Sequence, residues 1–158
     1  MSRAPEPGPN GPVPQESIPR PALLALRTTT TSLAVLTLAQ ATFAGSFLSG
    51  RYEMLMVHRT NALVIAAVSL GQTALGVLIR GSGYGPNRLI WVPALVAAAV
   101  IGQTWLGFAR VLGVHVTLGV LIVSGVLGVA RWSWRTPLPP RTGHGRQTGA
   151  GESAGVAS

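Results

Sequence analysis

The chain has no cysteine, no lysine and no aspartate. Without cysteine there is no disulfide framework, no thiolate metal site and no cysteine nucleophile. Without aspartate there is no Ser-His-Asp set, and without lysine no Walker-type phosphate loop. Charge of either sign is scarce, at 10 % of 158 residues against roughly 25 % in ordinary soluble domains. Hydrophobic residues make up 47 %, and the mean hydropathy is +0.43. A soluble globule this poor in charge would show large apolar patches to water and aggregate. The composition therefore points to the bilayer.

All twelve basic residues are Arg, and four Glu are the only acids, for a net charge of +8. A nucleic-acid partner would require the Arg to cluster on one exposed face. They lie instead between long apolar runs, so the expected partner is lipid and no nucleic acid is expected. Abundant Ala, Gly, Val and Arg without Lys is the composition of a GC-rich bacterial genome.

Residues 1–20 and 136–158 are rich in Pro and Gly with no apolar period, and read as disordered tails. The start does not resemble a signal peptide. Residues 21–135 carry four apolar runs, about 28–49, 57–79, 89–109 and 111–130. Each has roughly the 20 residues needed to cross ~30 Å of hydrocarbon. Backbone polar groups in lipid must pair within their own segment, so these are helices. Short connections make neighbours antiparallel, which predicts an all-α, up-down-up-down, four-helix transmembrane bundle.

Orientation follows from the Arg. One side carries Arg3, Arg20, Arg27, Arg80, Arg88, Arg131, Arg135, Arg141 and Arg146; the other carries Arg51, Arg59 and Arg110. This asymmetry predicts a multi-pass protein of the bacterial inner (plasma) membrane with both termini cytoplasmic. Trp91, Trp132 and Trp134 fall at the inner interface and Trp105 near the outer one.

Two of the three His lie within the helices. His58 opens the second and His115 the fourth, two helices that run in the same direction and are diagonal partners in such a bundle. Both imidazoles are thus expected at one depth, near the outer surface. Two diagonal imidazoles at one level are what six-coordinate heme iron takes from opposite porphyrin faces. Helical spacing from His58 leads through Asn61, Ile65, Ser69, Gln72 and Gly76, a small and polar stripe that should face inward. From His115 it leads through Gly119, Ile122, Gly125 or Val126, and Val129, with Gly119 expected to leave room for a flat macrocycle. The plainer reading of each His is a packing or interfacial residue. A two-His zinc site fits less well, because Zn takes three or four protein ligands.

Arg59 and Arg110 share the outer rim with the two His. They suit heme propionates, or simply snorkel to the interface. Glu53, the one acid near the bundle, is an outer-face candidate for orienting an imidazole; as a solvated loop charge it pairs with Arg51 or Arg59. Gln40, Gln72 and Gln103 read as interhelical hydrogen-bonding residues. Residues 71–76 and 102–107 share the pattern G-Q-T-x-L-G, by duplication or by chance. His144 lies in the tail and reads as solvated.

The segment Glu53-Met54-Leu55-Met56-Val57-His58-Arg59, followed by Gln103-Thr104-Trp105-Leu106-Gly107 and Arg110-Val111-Leu112-Gly113 leading to His115, resembles one four-helix half of the heme A synthase family. It is similar also to small four-helix bacterial membrane proteins with a His-Arg and a later His. The resemblance covers about 40–131. It implies heme ligation by His58 and His115, with an acid such as Glu53 on the periplasmic side. The acid-to-His spacing is longer here than in the family, and a single half carries one His pair where the synthase needs two.

These residues predict a b-type cytochrome-like protein holding heme b between His58 and His115, for electron transfer or heme handling. Two alternatives stand beside it: a cofactor-free accessory or assembly subunit, and a heme-modifying oxidoreductase. Expected protein partners are a second copy or a respiratory or heme-assembly protein.

Overall fold

The computed structural model describes residues 17–139. Most of the two expected tails lies outside these residues. Four helices follow one another: α1 (Arg20–Leu48), α2 (Met54–Gly81), α3 (Arg88–Phe108) and α4 (Leu112–Arg135). All four are long and apolar enough to cross a membrane. They form a ring in which α1 touches α2 and α4, and α3 touches α2 and α4. The diagonal pairs, α1 with α3 and α2 with α4, make no close backbone contact. The α1–α2 and α3–α4 turns lie at one end, called here the histidine end. The α2–α3 turn, the start of α1 and the close of α4 lie at the other, the terminal end.

Two boundaries differ from the expected ones. Helix α1 begins at Arg20 rather than near Thr28. Pro21 is tolerated in the first turn, where a backbone N–H has no intrahelical partner anyway. The added turns are held because Leu23 and Leu26 pack with Ile18, Ile79 and Leu89 in a cluster at the terminal end. Helix α4 continues to Arg135, beyond the apolar run that ended near Ala130.

That extension is anchored by Arg27, a charged residue left only 8 % exposed. Its Nε donates to the Ser133 carbonyl at 3.1 Å and its Nη2 to the Thr136 carbonyl at 2.7 Å. Its guanidinium also lies over the Trp134 ring, 5.0 Å from the centroid. The last carbonyls of a helix have no intrahelical donor and carry the negative end of its dipole. A cation from α1 satisfies those of α4 and so ties the two helices together. Thr30 Oγ1 and Ser133 Oγ add a buried contact at 3.0 Å beside it.

The α2–α3 contact has a different origin. Pro93 lies inside α3 and has no N–H for the Leu89 carbonyl. That freed carbonyl faces Gly76 of α2, and the absence of a side chain at Gly76 lets the two backbones meet. A second buried cluster, Leu33, Ala34, Ile65, Val100 and Val126, fills the middle of the bundle. There the packed core stops: none of residues 38–64 or 101–125 is buried.

Gly71 and Gly76 give a matched test of this packing. A methyl at Gly76 would run into the Leu89 carbonyl, whereas at Gly71 it meets nothing within 4 Å. Gly76→Ala is expected to lower stability by about 3 kcal/mol or more, and Gly71→Ala to leave it unchanged or slightly raised. Thermal unfolding in mild detergent, followed by far-UV circular dichroism, reads both; equal melting temperatures would contradict the contact.

Candidate functional site

His58 and His115 meet across the interior at the histidine end. Their ring centroids are 6.3 Å apart and their planes are inclined by 59°. Each ring is fixed by a glutamine on the preceding helix. Gln40 on α1 sends its amide Nε2 to the His58 carbonyl at 3.0 Å, and His58 Nδ1 meets the Gln40 carbonyl at 3.3 Å. Gln103 on α3 sends its Nε2 to the His115 carbonyl at 2.7 Å, and His115 Nδ1 meets the Gln103 carbonyl at 2.9 Å. The same reciprocal bracket thus occurs once in each hairpin.

Backbone carbonyls only accept, so they determine where the protons are. Both Nδ1 atoms face carbonyls and must carry hydrogen. In the neutral ring each Nε2 is then left with a lone pair, the form in which imidazole binds a metal while its other nitrogen is held by a carbonyl.

The orientation of Gln40 follows in the same way. Asn61 Nδ2 donates to the Leu36 carbonyl at 3.0 Å and to Gln40 Oε1 at 2.7 Å. Gln40 Nε2 is therefore the donor, and it also reaches His58 Nε2 at 3.1 Å. Among the described residues no hydrogen bond reaches His115 Nε2. Gln103 Oε1 is buried without a hydrogen-bond partner.

Glycines make room for this arrangement. A Cβ at Gly107 would come within 3.0 Å of His115 Cε1, so the ring lies against α3 because position 107 has no side chain. A Cβ at Gly119 would stand 2.9 Å from Gln103 Nε2. The space expected beside Gly119 for a macrocycle is instead taken by the Gln103 amide.

The rim residues do not join the pair. Arg59 is exposed and its guanidinium lies over the Phe108 ring, 5.8 Å from the centroid. Arg110 is exposed in the α3–α4 turn, with a left-handed φ of 59°. Glu53 is exposed in the α1–α2 turn and pairs with Arg51 at 3.3 Å. A hydrogen bond from its own backbone amide, then the Arg51 contact, holds its carboxyl below the usual range. Glu53 is thus a solvated loop charge. No group of three or more His, Asp or Glu suited to a metal ion occurs among the described residues.

Gln40 and Gln103 make the expected interhelical hydrogen bonds and Gln72 Oε1 has no partner; that the two partners are the histidines was not evident from residue types alone. A glutamine in each of two odd-numbered helices, each followed by a histidine in the next, was the available signal. The shared G-Q-T-x-L-G pattern obscured it, because Gln72 and Gln103 are not equivalent. Gln72 is buried on the α2 stripe with Ile65, Ser69 and Gly76, on the terminal side of the histidine layer.

The brackets predict a tautomer. Imidazole nitrogen spectra of 15N-histidine-labelled protein in detergent are expected to show Nδ1–H, with unprotonated Nε2, for both His58 and His115. An Nε2–H signature at either residue would contradict the bracket there.

Comparison of the chain with protein-family models, with curated proteins and with solved structures returned no match.

Proposed function

We propose that this chain is a bacterial plasma-membrane protein that holds one b-type heme between His58 and His115, for electron transfer or heme handling. The observation that carries the reading is the 6.3 Å between ring centres. Were a heme bound, His58 and His115 would be the residues to hold its iron through Nε2, and metal–imidazole bonds of ~2.0–2.1 Å would suit ring centres about this far apart. Each imidazole is held through Nδ1, which leaves Nε2 as the ligating atom.

The packing supports the same reading. The histidine layer lies where the bundle has no buried side chain, so apolar surface from a bound group would complete a core that the chain leaves unfinished. Arg59 and Arg110, exposed at this end, supply cations for propionate carboxylates. When bound, heme iron supplies a one-electron couple whose potential depends on its axial ligands and burial. The residues contribute binding and orientation: Gln40 and Gln103 set the ring levels, and Gly107 lets His115 lie close to α3.

The Arg asymmetry supports a cytoplasmic terminal end and an external histidine end. A redox partner or a second copy would then meet the site from outside the cell membrane. One His pair per chain supports a carrier over a heme-modifying oxidoreductase, so the likeness to half a heme A synthase extends to ligation. The closed hydrogen bonds of Gln40 with His58 support a second reading, a cofactor-free accessory subunit.

Purified from heme-replete cells, the protein is expected to show a reduced-minus-oxidised α band. The band should vanish when His58 and His115 are both replaced by Ala. A colourless protein, or a band surviving the double replacement, rejects the heme reading. Colourless protein with a stable companion after mild-detergent purification would favour the accessory subunit, and altered heme side chains on extraction would favour the enzyme.

A further inference from the structure

Arg27 has capacity beyond the capping of α4. A guanidinium carries five N–H donors in a fixed fork. Nε and Nη2 direct theirs to the carbonyls of Ser133, Trp134 and Thr136. The two N–H of Nη1 meet no acceptor among the described residues, and Nη1 is not sealed off inside the bundle. The charge also has no anion beside it. Among the described residues the terminal end carries Arg20, Arg27, Arg80, Arg88, Arg131 and Arg135, while the one acid, Glu53, lies at the histidine end. The dipole of α4 offsets about half a charge. The remainder sits uncompensated on a buried side chain of a membrane helix, which is costly unless an anion joins it.

Arg27 lines an open groove of about 610 Å³ between α1 and the end of α4, within the ~300–1,000 Å³ of small-molecule sites. Trp134 closes one side, its indole Nε1 donating to Thr31 Oγ1 at 3.0 Å. Thr28, Thr29 and Thr30 turn their hydroxyls back to carbonyls of the preceding turn. The O–H groups of Thr31 and Ser32, which line the groove, have no acceptor among the described residues. Val35 and Leu36 continue the groove toward the bilayer centre with apolar surface. From Leu24 to Leu36 it follows α1 for ~18 Å at 1.5 Å per residue, a little more than half of the ~30 Å hydrocarbon core.

Cation, then free hydroxyls one turn deeper, then apolar wall is the polarity order of a lipid read from headgroup to tail. We propose that this groove binds one anionic phospholipid from the leaflet at the terminal end. Its phosphate pairs with Arg27 Nη1, its glycerol ester oxygens accept from Thr31 and Ser32, and an acyl chain lies along Val35 and Leu36. A free phosphate would leave the apolar length uncovered. A zwitterionic lipid brings an ammonium group to an end that offers it only further Arg. Basic pockets between membrane helices recognise anionic headgroups in this way. The proposal is independent of the heme reading.

The experiment is native mass spectrometry of the full chain in neutral detergent, titrated with dioleoyl phosphatidylglycerol, dioleoyl phosphatidylcholine or inorganic phosphate. One phosphatidylglycerol per chain is expected, bound at least about tenfold more tightly than phosphatidylcholine and not displaced by phosphate. Arg27→Gln should lower that affinity about tenfold or more. Arg80→Gln removes the same charge at the same end but outside the groove, and should stay within about twofold of wild type. Equal losses in the two variants would mark diffuse attraction and overturn the site. Equal binding of both lipids, displacement by phosphate, or paired chains that exclude lipid would overturn it as well. Should Arg27→Gln fail to fold, Ser32→Phe serves: it fills the groove from an exposed position and leaves the α4 cap intact. It is expected to abolish the preference for phosphatidylglycerol, and wild-type binding by this variant would reject the proposal.

Discussion

In hydrocarbon the backbone of a helix is satisfied by its own hydrogen bonds, yet each carbonyl oxygen keeps a second lone pair. The two Gln–His brackets use that spare capacity. Each couples two helices through a side chain to a carbonyl and a second side chain back to a carbonyl. Interhelical hydrogen bonds of this kind contribute ~0.6 kcal/mol on average and up to ~1.7, so four of them are worth a few kcal/mol. Their larger consequence is positional. His58 and His115 both lie within the first turns of their helices, where an unrestrained imidazole would turn toward the interface. Held by backbone on a neighbouring helix, each ring keeps its level, its tautomer and its inward direction.

Packing is divided unequally along the bundle axis. At the terminal end Arg27 caps α4, Gly76 receives the Leu89 carbonyl, and Leu23, Leu26 and Ile79 are buried. The middle cluster continues as far as Ile65 and Val126. Toward the histidine end the helices hold together through turns and polar brackets, with no buried side chain. Regions with few buried contacts open most readily, and binding sites are drawn from them. A tightly packed terminal half allows the other half to remain unfilled without loss of the fold.

Much of this was legible in the sequence, for reasons that differ by element. Four spans could be counted because each apolar run matches the bilayer. The α2 face could be drawn because Ser69, Gln72 and Gly76 stand out against an apolar helix, and those residues are buried. The start of α1 was not legible: Arg20 and Arg27 read as charges marking a membrane side, whereas Arg27 is buried as a helix cap. The brackets were hidden because half of each is a backbone carbonyl, which no residue pattern records. Their separations also differ, 18 residues from Gln40 to His58 and 12 from Gln103 to His115, so the unequal turns conceal the repeat. Glu53, Arg59 and Arg110 sit on the rim as expected, but exposure there says little about contact.

The two hairpins use one device and leave their imidazoles unequally covered, and the chain differs at the matching position. Three residues beyond His58 stands Asn61; three residues beyond His115 stands Leu118. On α2 the Asn61 amide is itself fixed by the Leu36 carbonyl and grips Gln40 Oε1. That grip turns the Gln40 amide so that its nitrogen serves both the His58 carbonyl and His58 Nε2. On α4 a leucine has nothing to offer, Gln103 Oε1 is left without a donor, and the Gln103 amide is held only through its nitrogen. The ring it braces keeps an uncovered lone pair. A polar residue in place of an apolar one three positions beyond the histidine thus accompanies a masked imidazole on α2 and an open one on α4.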